Sequence, residues 1–217
     1  MYILVVSATE NEINTTIDWL TSNGGMINGN EIEVLITGIG SAMTSYALAK
    51  QLTWRTPELV VQAGIGGSFS TDLPPESVAF VSEEVFADLG ALQDDALIDI
   101  FDLGLAGVDE EPFSNRLLVN PHTEMWIKYG LPFVRAATIN CISSTPEQVE
   151  RIRSKYQPAV ESMEGAALHY ACLMENIPFI QLRAISNFSG ERDKSKWKMK
   201  EAIAVLNEKL KRILGWI

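Results

Sequence analysis

Short β-rich runs that alternate with helical patterns constrain the fold of this chain more than any other feature. The β-rich runs are Tyr2–Val6, Glu33–Ile36, Glu58–Gln62, Val78–Val81, Phe133–Ile139 and Pro178–Ala184. The helical patterns are Glu10–Leu20, Ser41–Leu52, Pro146–Tyr156, Met163–Glu175 and Lys194–Leu214. Because helices between successive strands cover the faces of the sheet, this order predicts an α/β protein with a largely parallel or mixed sheet.

The length of the chain fits one folded domain. With 217 residues it can bury a sizeable core,. No internal repeat, low-complexity run or linker divides it, so residues 1–217 are predicted to form a single domain. The segment Ala91–Asn115 is acidic, contains scattered glycines and has no clean hydrophobic period, so no element is assigned to it,.

The charge balance argues against two classes of partner. The chain has 17 Lys and Arg against 28 Asp and Glu, a formal net charge of −11. This excess of negative charge repels nucleic acid and anionic membranes, so neither is expected as a partner. The apolar run Tyr2–Val6 is too short for a secretory signal, and Cys141 and Cys172 form neither a disulfide framework nor a metal-binding spacing,. A cytoplasmic protein without a metal or another cofactor is therefore expected.

Glycines and polar residues follow the predicted strands at their carboxyl ends. These segments are Ser7–Glu12, Thr37–Gly40, Ala63–Gly67 and Ser186–Asn187. Ligands of open α/β sheets bind at that edge, so the four segments are predicted to meet at one pocket. The glycines of Gly38–Gly40 and Gly64–Gly67 allow a ligand to approach the backbone, although glycine turns without a ligand are also common. They match neither the phosphate-loop pattern nor the dinucleotide fingerprint.

Three polar side chains near this predicted pocket each have a functional and a structural interpretation. Glu12 is the candidate general base, but Thr9-x-x-Glu12 also fits a capping box, in which the glutamate only binds the backbone of Thr9,. Glu164 precedes an apolar helix, where it either meets polar partners or belongs to a solvated first turn,. Asn187 ends an apolar strand as either a ligand-binding amide or a turn residue,.

Five segments, in order, resemble the purine nucleoside phosphorylase and nucleosidase superfamily over nearly the whole chain. They are Ser7–Glu12, Gly38–Gly40, Gly64–Gly67, Met163–Ala167 and Arg183–Asn187. The resemblance implies a three-layer α/β/α sandwich with a central mixed sheet, of the nucleoside phosphorylase-like type. Phe86–Ala91, Glu161–Glu164 and Asn187 are most similar to the futalosine hydrolases, nucleosidases of the alternative menaquinone pathway. The methylthioadenosine/S-adenosylhomocysteine nucleosidases carry aspartate where this chain has Asn187.

The resemblance implies hydrolysis of the N-glycosidic bond of futalosine, a purine nucleoside, which releases hypoxanthine and dehypoxanthine futalosine. Glu12 and Asn187 would be the catalytic residues, Glu12 by activating water and Asn187 by contacting the purine. Glu164 would bind the ribose hydroxyls, and Met163 would lie against the sugar. The residues that would line the rest of the pocket are Gly64, Ile65, Gly66, Gly67 and Ile142. An amide both donates and accepts hydrogen bonds, so Asn187 suits hypoxanthine, a 6-oxopurine, better than adenine.

Water rather than phosphate is the predicted nucleophile. Phosphorylases hold phosphate with arginine, and no arginine occurs before Arg55,. Two other functions remain open: a methylthioadenosine/S-adenosylhomocysteine nucleosidase that releases adenine, and a non-catalytic nucleoside-binding protein of the same fold. Asn187 argues against the first, and the presence of both Glu12 and Glu164 argues against the second. Since members of the resembling superfamily are commonly dimers, a homodimer is expected.

Overall fold

A mixed β-sheet with helices on both faces forms the centre of the molecule. The computed structural model describes residues 1–94 and 96–217. The strands are β1 (Tyr2–Ser7), β2 (Met26–Ile27), β3 (Asn30–Ile36), β4 (Leu59–Ser68), β5 (Val78–Phe86), β6 (Gly90–Gln93), β7 (Ala96–Asp99), β8 (Leu118–Val119), β9 (Phe133–Thr138), β10 (Val160–Ser162) and β11 (Phe179–Phe188). The helices are α1 (Glu10–Ser22), α2 (Ser41–Trp54), α3 (Pro146–Tyr156), α4 (Gly165–Met174) and α5 (Met199–Leu214), with 3-10 helices at Thr123–Tyr129 and Lys194–Lys196. The predicted three-layer sandwich with a central mixed sheet is confirmed.

The order of the strands determines which chain segments meet at the edge of the sheet. Within the described ranges, the main sheet runs β10-β9-β5-β11-β4-β1-β3-β2, and β8 pairs with β5. β1 is parallel to β3 and β4, and β4 is parallel to β11, so the carboxyl ends of these four strands lie together. β5 is antiparallel to β11. β10 pairs with both β9 and β4, which closes β10, β9, β5, β11 and β4 into a ring.

The composition of β1 explains why the sheet has a helical layer on each side. Ile3 and Val5 pack in one buried cluster with residues of α1 and α5. Leu4 and Val6 pack in a second cluster with residues of α2 and α4. Successive side chains of a strand point to opposite faces, so a wholly apolar strand requires cover on both. Burial of each such side chain contributes about 1.5–3 kcal/mol.

The two strands that border the predicted pocket are longer than the sequence predicts. β4 continues through Ala63–Gly67, and β11 continues through Ser186 and Asn187, although the sequence analysis places these residues beyond the strands. Along its glycines β4 pairs with β11 on one side and with β10 on the other. This pairing on both sides outweighs the low intrinsic strand preference of glycine.

Helix boundaries near the site also differ from the predictions. Met163 is not the first residue of a helix as predicted, because β10 ends at Ser162 and α4 starts only at Gly165. The last predicted helix divides into the 3-10 turn Lys194–Lys196 and α5, which begins at Met199. The paired strands β6, which begins at Gly90, and β7 occupy the first part of the unassigned segment Ala91–Asn115. None of the helices in the described ranges is long and apolar enough to cross a membrane.

Candidate active site

The first turn of α1 holds Glu12 at the edge where β1 and β4 end. Glu12 Oε2 accepts hydrogen bonds from the Thr9 backbone N–H at 3.1 Å and from Thr9 Oγ1 at 3.0 Å. Its other oxygen, Oε1, accepts the backbone N–H of Ile65 at 3.0 Å. The two interpretations of this residue are therefore compatible, since one oxygen caps the helix and the other reaches the glycine-rich part of β4.

Glu164 lies at the N-cap of α4 and its carboxylate is also buried. Oε1 accepts the backbone N–H of Gly40 at 3.1 Å, at the start of α2. Oε2 lies 3.5 Å from Arg183 Nη1. A solvated first helical turn is thus not what the structure shows, because Glu164 is enclosed by a backbone donor and a guanidinium.

Arg183 is the largest polar side chain at this place and is only 1% exposed. Its Nη1 donates to the backbone carbonyl of Ile65 at 3.3 Å and faces Glu164. In the part of the chain that the structure describes, Arg183 Nε and Nη2 have no hydrogen-bond partner. Buried donors without a partner are costly, so these two N–H groups indicate a place where a ligand or water oxygen binds.

Gly64 separates Glu12 from Arg183. A Cβ atom on Gly64 would lie 2.5 Å from Arg183 Nη1 and 3.1 Å from Glu12 Oε1. Because real Cβ atoms do not approach other atoms so closely, glycine at this position lets both the carboxylate and the guanidinium pack against β4. Ile65 contributes its backbone to both, as donor to Glu12 and as acceptor from Arg183.

The next two glycines of β4 lie against other segments. A Cβ on Gly66 would lie 2.8 Å from the backbone oxygen of Glu161 in β10. A Cβ on Gly67 would lie 2.8 Å from Ser189 Oγ and 3.6 Å from Asn187 Nδ2. The absence of a side chain at Gly67 therefore allows Ser189 and Asn187 to pack closely against the strand.

Asn187 follows an irregularity in the pairing of β11 with β4, and its amide has local partners. Oδ1 accepts the Ser186 hydroxyl at 2.7 Å, and Nδ2 donates to the Phe188 carbonyl at 2.9 Å. Both ends of the amide would have to exchange these bonds for bonds to a purine. The structure thus brings Asn187 to Gly67 but does not place it in contact with Glu12 or Glu164.

The two remaining predicted residues differ in position. Met163 is half-buried beside Glu164, and its carbonyl accepts the Ser41 hydroxyl at 3.4 Å. Ile142 is 42% exposed in the segment between β9 and α3. The described polar contacts therefore unite Glu12, Gly64, Ile65 and Glu164, and they do not involve Ile142.

Arg183 is a site residue that was not among those predicted from the sequence. The absence of arginine before Arg55 does not leave the pocket without a guanidinium, because β11 lies beside β4 with Arg183 next to Gly64. A signal was present in the sequence: an arginine within the apolar run Phe179–Ile185 is expensive to bury without a partner,.

A buried hydrogen-bond network connects β5, β9 and β11 to the first turn of α4. Glu84 Oε1 accepts the side-chain amide of Gln181 at 2.9 Å, and Oε2 accepts the Thr138 hydroxyl at 2.9 Å. Thr138 Oγ1 in turn accepts the backbone N–H of Ala166, in the first turn of α4, at 2.8 Å. Burial raises the pKa of Glu84 to about 7. Nearby, burial lowers the pKa of His169 to about 4.

Comparison with known proteins identifies the family. A sequence model of the phosphorylase superfamily matches residues 21–215. The chain belongs to this superfamily. Its sequence is 32% identical to the futalosine hydrolase of Thermus thermophilus over 191 residues, which covers 87% of this chain and 84% of that protein. The futalosine hydrolase of Streptomyces coelicolor is 29% identical, with 81% of this chain and 75% of that protein covered.

Other members of the superfamily are also similar. The 5'-methylthioadenosine/S-adenosylhomocysteine nucleosidase of Maridesulfovibrio salexigens is 25% identical, with 85% of this chain and 80% of that protein covered. A solved structure of futalosine hydrolase from Helicobacter pylori has a TM-score of 0.85 at 17% identity, and both chains are covered over 100%. The Colwellia psychrerythraea methylthioadenosine/S-adenosylhomocysteine nucleosidase bound to adenine has a TM-score of 0.83 at 20% identity, with 99% and 95% covered. At these identities the solved structures show a shared fold.

Proposed function

We propose that the chain is a nucleosidase that hydrolyses the N-glycosidic bond of futalosine and releases hypoxanthine and dehypoxanthine futalosine. The observation that carries this proposal is the convergence of Glu12, Arg183 and Glu164 around Gly64. The identity of 32% to a futalosine hydrolase over most of both chains supports the choice of substrate. We infer that this hydrolysis serves the alternative menaquinone pathway.

The chemistry requires charge stabilisation on both sides of the bond that breaks. Cleavage builds positive charge on the ribose and negative charge on the purine. Glu12 accepts a proton from the attacking water through Oε1, the oxygen beside Gly64. Arg183 Nε and Nη2 hold the oxygen of that water or of a ribose hydroxyl. Glu164 accepts the ribose hydroxyls in exchange for one of its present bonds.

Charge favours water over phosphate as the nucleophile. Two buried carboxylates, Glu12 and Glu164, lie beside the place of attack, and Arg183 Nη1 already faces Glu164. A phosphate dianion would be repelled by both carboxylates and would find only part of one guanidinium, whereas phosphate sites normally supply bidentate arginine. Water carries no charge and needs only one base and one donor.

The purine is expected beside Asn187, near the carboxyl end of β4. Gly66 and Gly67 let β10, Ser189 and Asn187 pack closely against the strand, and Met163 and the exposed Ile142 are the apolar side chains expected to contact the ring. Asn187 can offer Nδ2 to the 6-oxygen and Oδ1 to a ring N–H once its local bonds exchange, so hypoxanthine fits better than adenine,.

We further infer a cytoplasmic homodimer built from residues 1–217 as one domain. Large apolar side chains are exposed near the site, with Met43 at 58% and Tyr46 at 72% on α2. Tyr170 and Met174 on the neighbouring α4 are also exposed. A second copy would cover this surface, and sedimentation at several concentrations measures the mass. Both cysteines are free thiols, in keeping with a reducing compartment,.

The test is an assay without phosphate in which futalosine, inosine, methylthioadenosine and S-adenosylhomocysteine are offered separately and the released base is quantified by chromatography. Hypoxanthine from futalosine is the expected product. Adenine from methylthioadenosine and S-adenosylhomocysteine would instead favour the second candidate, a methylthioadenosine/S-adenosylhomocysteine nucleosidase, since one such enzyme is 25% identical to this chain. No base from any of them, with or without added phosphate, would leave a nucleoside-binding protein.

A further inference from the structure

Glu164 is the N-cap residue of α4, yet its side chain makes no hydrogen bond to the first turn of that helix. An N-cap side chain usually accepts an N–H of the first turn, and the helix dipole attracts a carboxylate to the same place. The Glu164 carboxylate instead accepts the Gly40 N–H and faces Arg183. The first turn of α4 therefore needs its hydrogen-bond acceptor from another part of the chain.

Thr138, in β9, is that acceptor. Its Oγ1 accepts the backbone N–H of Ala166 at 2.8 Å. Ala166 is the second residue of α4, and the N–H at this position is one of the two that an N-cap side chain ordinarily accepts,. Thr138 and Ala166 are both 0% exposed, so neither is in contact with solvent. A residue of a strand thus caps α4 in place of Glu164.

Glu84 and Gln181 fix the orientation of the Thr138 hydroxyl. The hydroxyl donates to Glu84 Oε2 at 2.9 Å, and Gln181 Nε2 donates to Glu84 Oε1 at 2.9 Å. A hydroxyl has a single proton, so with that proton directed to Glu84 the lone pairs of Thr138 Oγ1 are left for the Ala166 N–H. All three side chains are buried. The cap on α4 is therefore held by three strands, β5, β9 and β11.

Gly165 allows this network to lie directly against the start of α4. A Cβ atom on Gly165 would overlap Glu84 Oε1 and Gln181 Nε2. Because real Cβ atoms do not come so close to other atoms, any larger residue here would displace the network or the helix. The residue directly after Glu164 thus lies in contact with the groups that orient Thr138.

On the basis of the proposed nucleosidase function, we propose that Thr138 is a positioning residue, which caps α4 so that the Glu164 carboxylate stays free to bind the ribose hydroxyls. Without the Thr138 hydroxyl, the Ala166 N–H loses its acceptor in a buried place, which is costly. The carboxylate of the N-cap residue then turns onto its own helix, where the dipole favours it. It leaves the Gly40 N–H and Arg183, and the ribose hydroxyls lose their acceptor.

Two substitutions of Thr138 separate its hydroxyl from its shape. Thr138→Val keeps the size and removes the hydroxyl, so kcat/KM for futalosine should fall by about tenfold or more. Thr138→Ser keeps the hydroxyl and should stay within about threefold of the native enzyme. Tyr156→Phe is the matched control, because it removes another buried hydroxyl, which donates to Asp99 at 3.2 Å. Tyr156→Phe should keep the native kcat/KM.

The same substitutions in a Glu164→Ala background show whether Thr138 acts through Glu164. Single turnovers with excess enzyme measure the residual activity. With the carboxylate absent, Thr138→Val should reduce this activity by less than about twofold, since effects that pass through one shared group are not additive. Its loss of stability in urea should be present in both backgrounds. A merely structural role would lower activity by the same factor in both.

The outcomes that overturn the proposal are distinct from failure of the proposed function. Native kcat/KM in folded Thr138→Val, or an equal factor of loss with and without Glu164, overturns the positioning role. If Thr138→Val does not fold, Thr138→Cys replaces it with the same expected pattern, since a thiol is only a weak acceptor. A native protein that cleaves no nucleoside overturns the proposed function itself, and this result does not depend on any variant.

Discussion

Asn207 of α5 occupies the backbone hydrogen-bond ladder of α1 directly after Glu12. Asn207 Nδ2 donates to the Glu12 carbonyl at 2.8 Å, and Oδ1 accepts the Thr16 backbone N–H at 3.0 Å. In a regular helix that N–H would bond to the Glu12 carbonyl itself. Ile13, between them, has non-helical angles, with φ −127° and ψ 20°. An amide from the far end of the chain therefore determines how the first turn of α1, and with it Glu12, meets the sheet.

Asn207→Leu should reduce catalysis more than binding. The substitution removes every hydrogen bond that the amide makes to α1, so α1 can close its own ladder and turn Glu12 away from Ile65. We expect kcat to fall by roughly tenfold or more with little change in KM, and a loss of about 1–3 kcal/mol in unfolding free energy. Steady-state kinetics and urea unfolding measure the two effects. Asn23→Leu, at the exposed end of α1, is the matched control. A destabilised variant with native kcat would show that Asn207 has only a structural role.

Glu12→Gln tests the base separately from the helix cap. The amide keeps the size of the side chain but cannot take a proton, so kcat for futalosine should fall by about 100-fold or more while KM changes little. Thr9→Val is the paired variant, because it removes the hydroxyl bonded to Oε2 and leaves the carboxylate in place. Thr9→Val should lose stability, by about 1 kcal/mol, and keep most of its turnover. If Glu12→Gln instead loses stability and keeps its turnover, Glu12 serves only as a helix cap.

Gly64→Ala should inactivate the enzyme although it adds only one methyl group. The new Cβ would lie 2.5 Å from Arg183 Nη1 and would push the guanidinium away from Ile65 and Glu164. Because misplacement by about 1 Å costs about 100-fold in rate, kcat/KM should fall by at least that factor. Gly215→Ala, after α5, controls for the added methyl group. Near-native activity in a folded Gly64→Ala variant would exclude Arg183 from the reaction.

Asn187→Asp should move base preference towards adenine nucleosides. A carboxylate only accepts hydrogen bonds, so it loses the donor to the 6-oxygen of hypoxanthine and gains an acceptor for the 6-amino group of adenine. The ratio of kcat/KM for futalosine to that for methylthioadenosine should fall by about tenfold or more. Competition assays with both nucleosides in one vessel measure this ratio directly. An unchanged ratio would mean that Asn187 keeps its bonds to Ser186 and Phe188 during catalysis.

The sequence predicts the fold better than it predicts the limits of its elements. Wholly apolar runs such as Tyr2–Val6 indicate strands buried on both faces, and the structure has them there. From the sequence, the glycines of β4 are predicted to form a turn, because glycine has a low strand preference. Their strand conformation depends on pairing with both β10 and β11, which no local pattern contains.

The residues of the candidate site can likewise be predicted only in part from the sequence. Glu12 and Glu164 lie in segments whose local pattern indicates them, and the structure brings Glu12 beside Gly64 and Glu164 beside Arg183. The roles of Arg183 and Asn207 cannot be predicted from the local sequence, because their partners are distant in the chain. Thr16, for example, is 191 positions from Asn207. Such partners follow from strand register and helix packing, which are properties of the folded molecule.

The buried carboxyl of Glu84 should make stability depend on pH. Its pKa rises from 4.5 to about 7 on folding, mainly because burial disfavours the charged form. The folded state therefore binds this proton more tightly, and the stabilisation present below the unfolded pKa is lost as pH rises through about 7. Glu84→Gln, neutral at every pH, should lack this loss. Between about pH 5 and pH 8 the native protein should lose stability relative to Glu84→Gln, by on the order of 1–3 kcal/mol.

Urea unfolding at both pH values measures that difference, and the comparison isolates Glu84. His169 has the opposite dependence, since its lowered pKa of about 4 costs stability as pH falls, but it is present in both proteins and cancels,. Glu83→Gln, at the adjacent and partly exposed carboxyl paired with Arg135, should follow the pH dependence of the native protein. If the stability of Glu84→Gln and that of the native protein instead change in parallel with pH, Glu84 is ionised in the folded state. The hydrogen-bond network of Glu84, Gln181 and Thr138 then carries a negative charge.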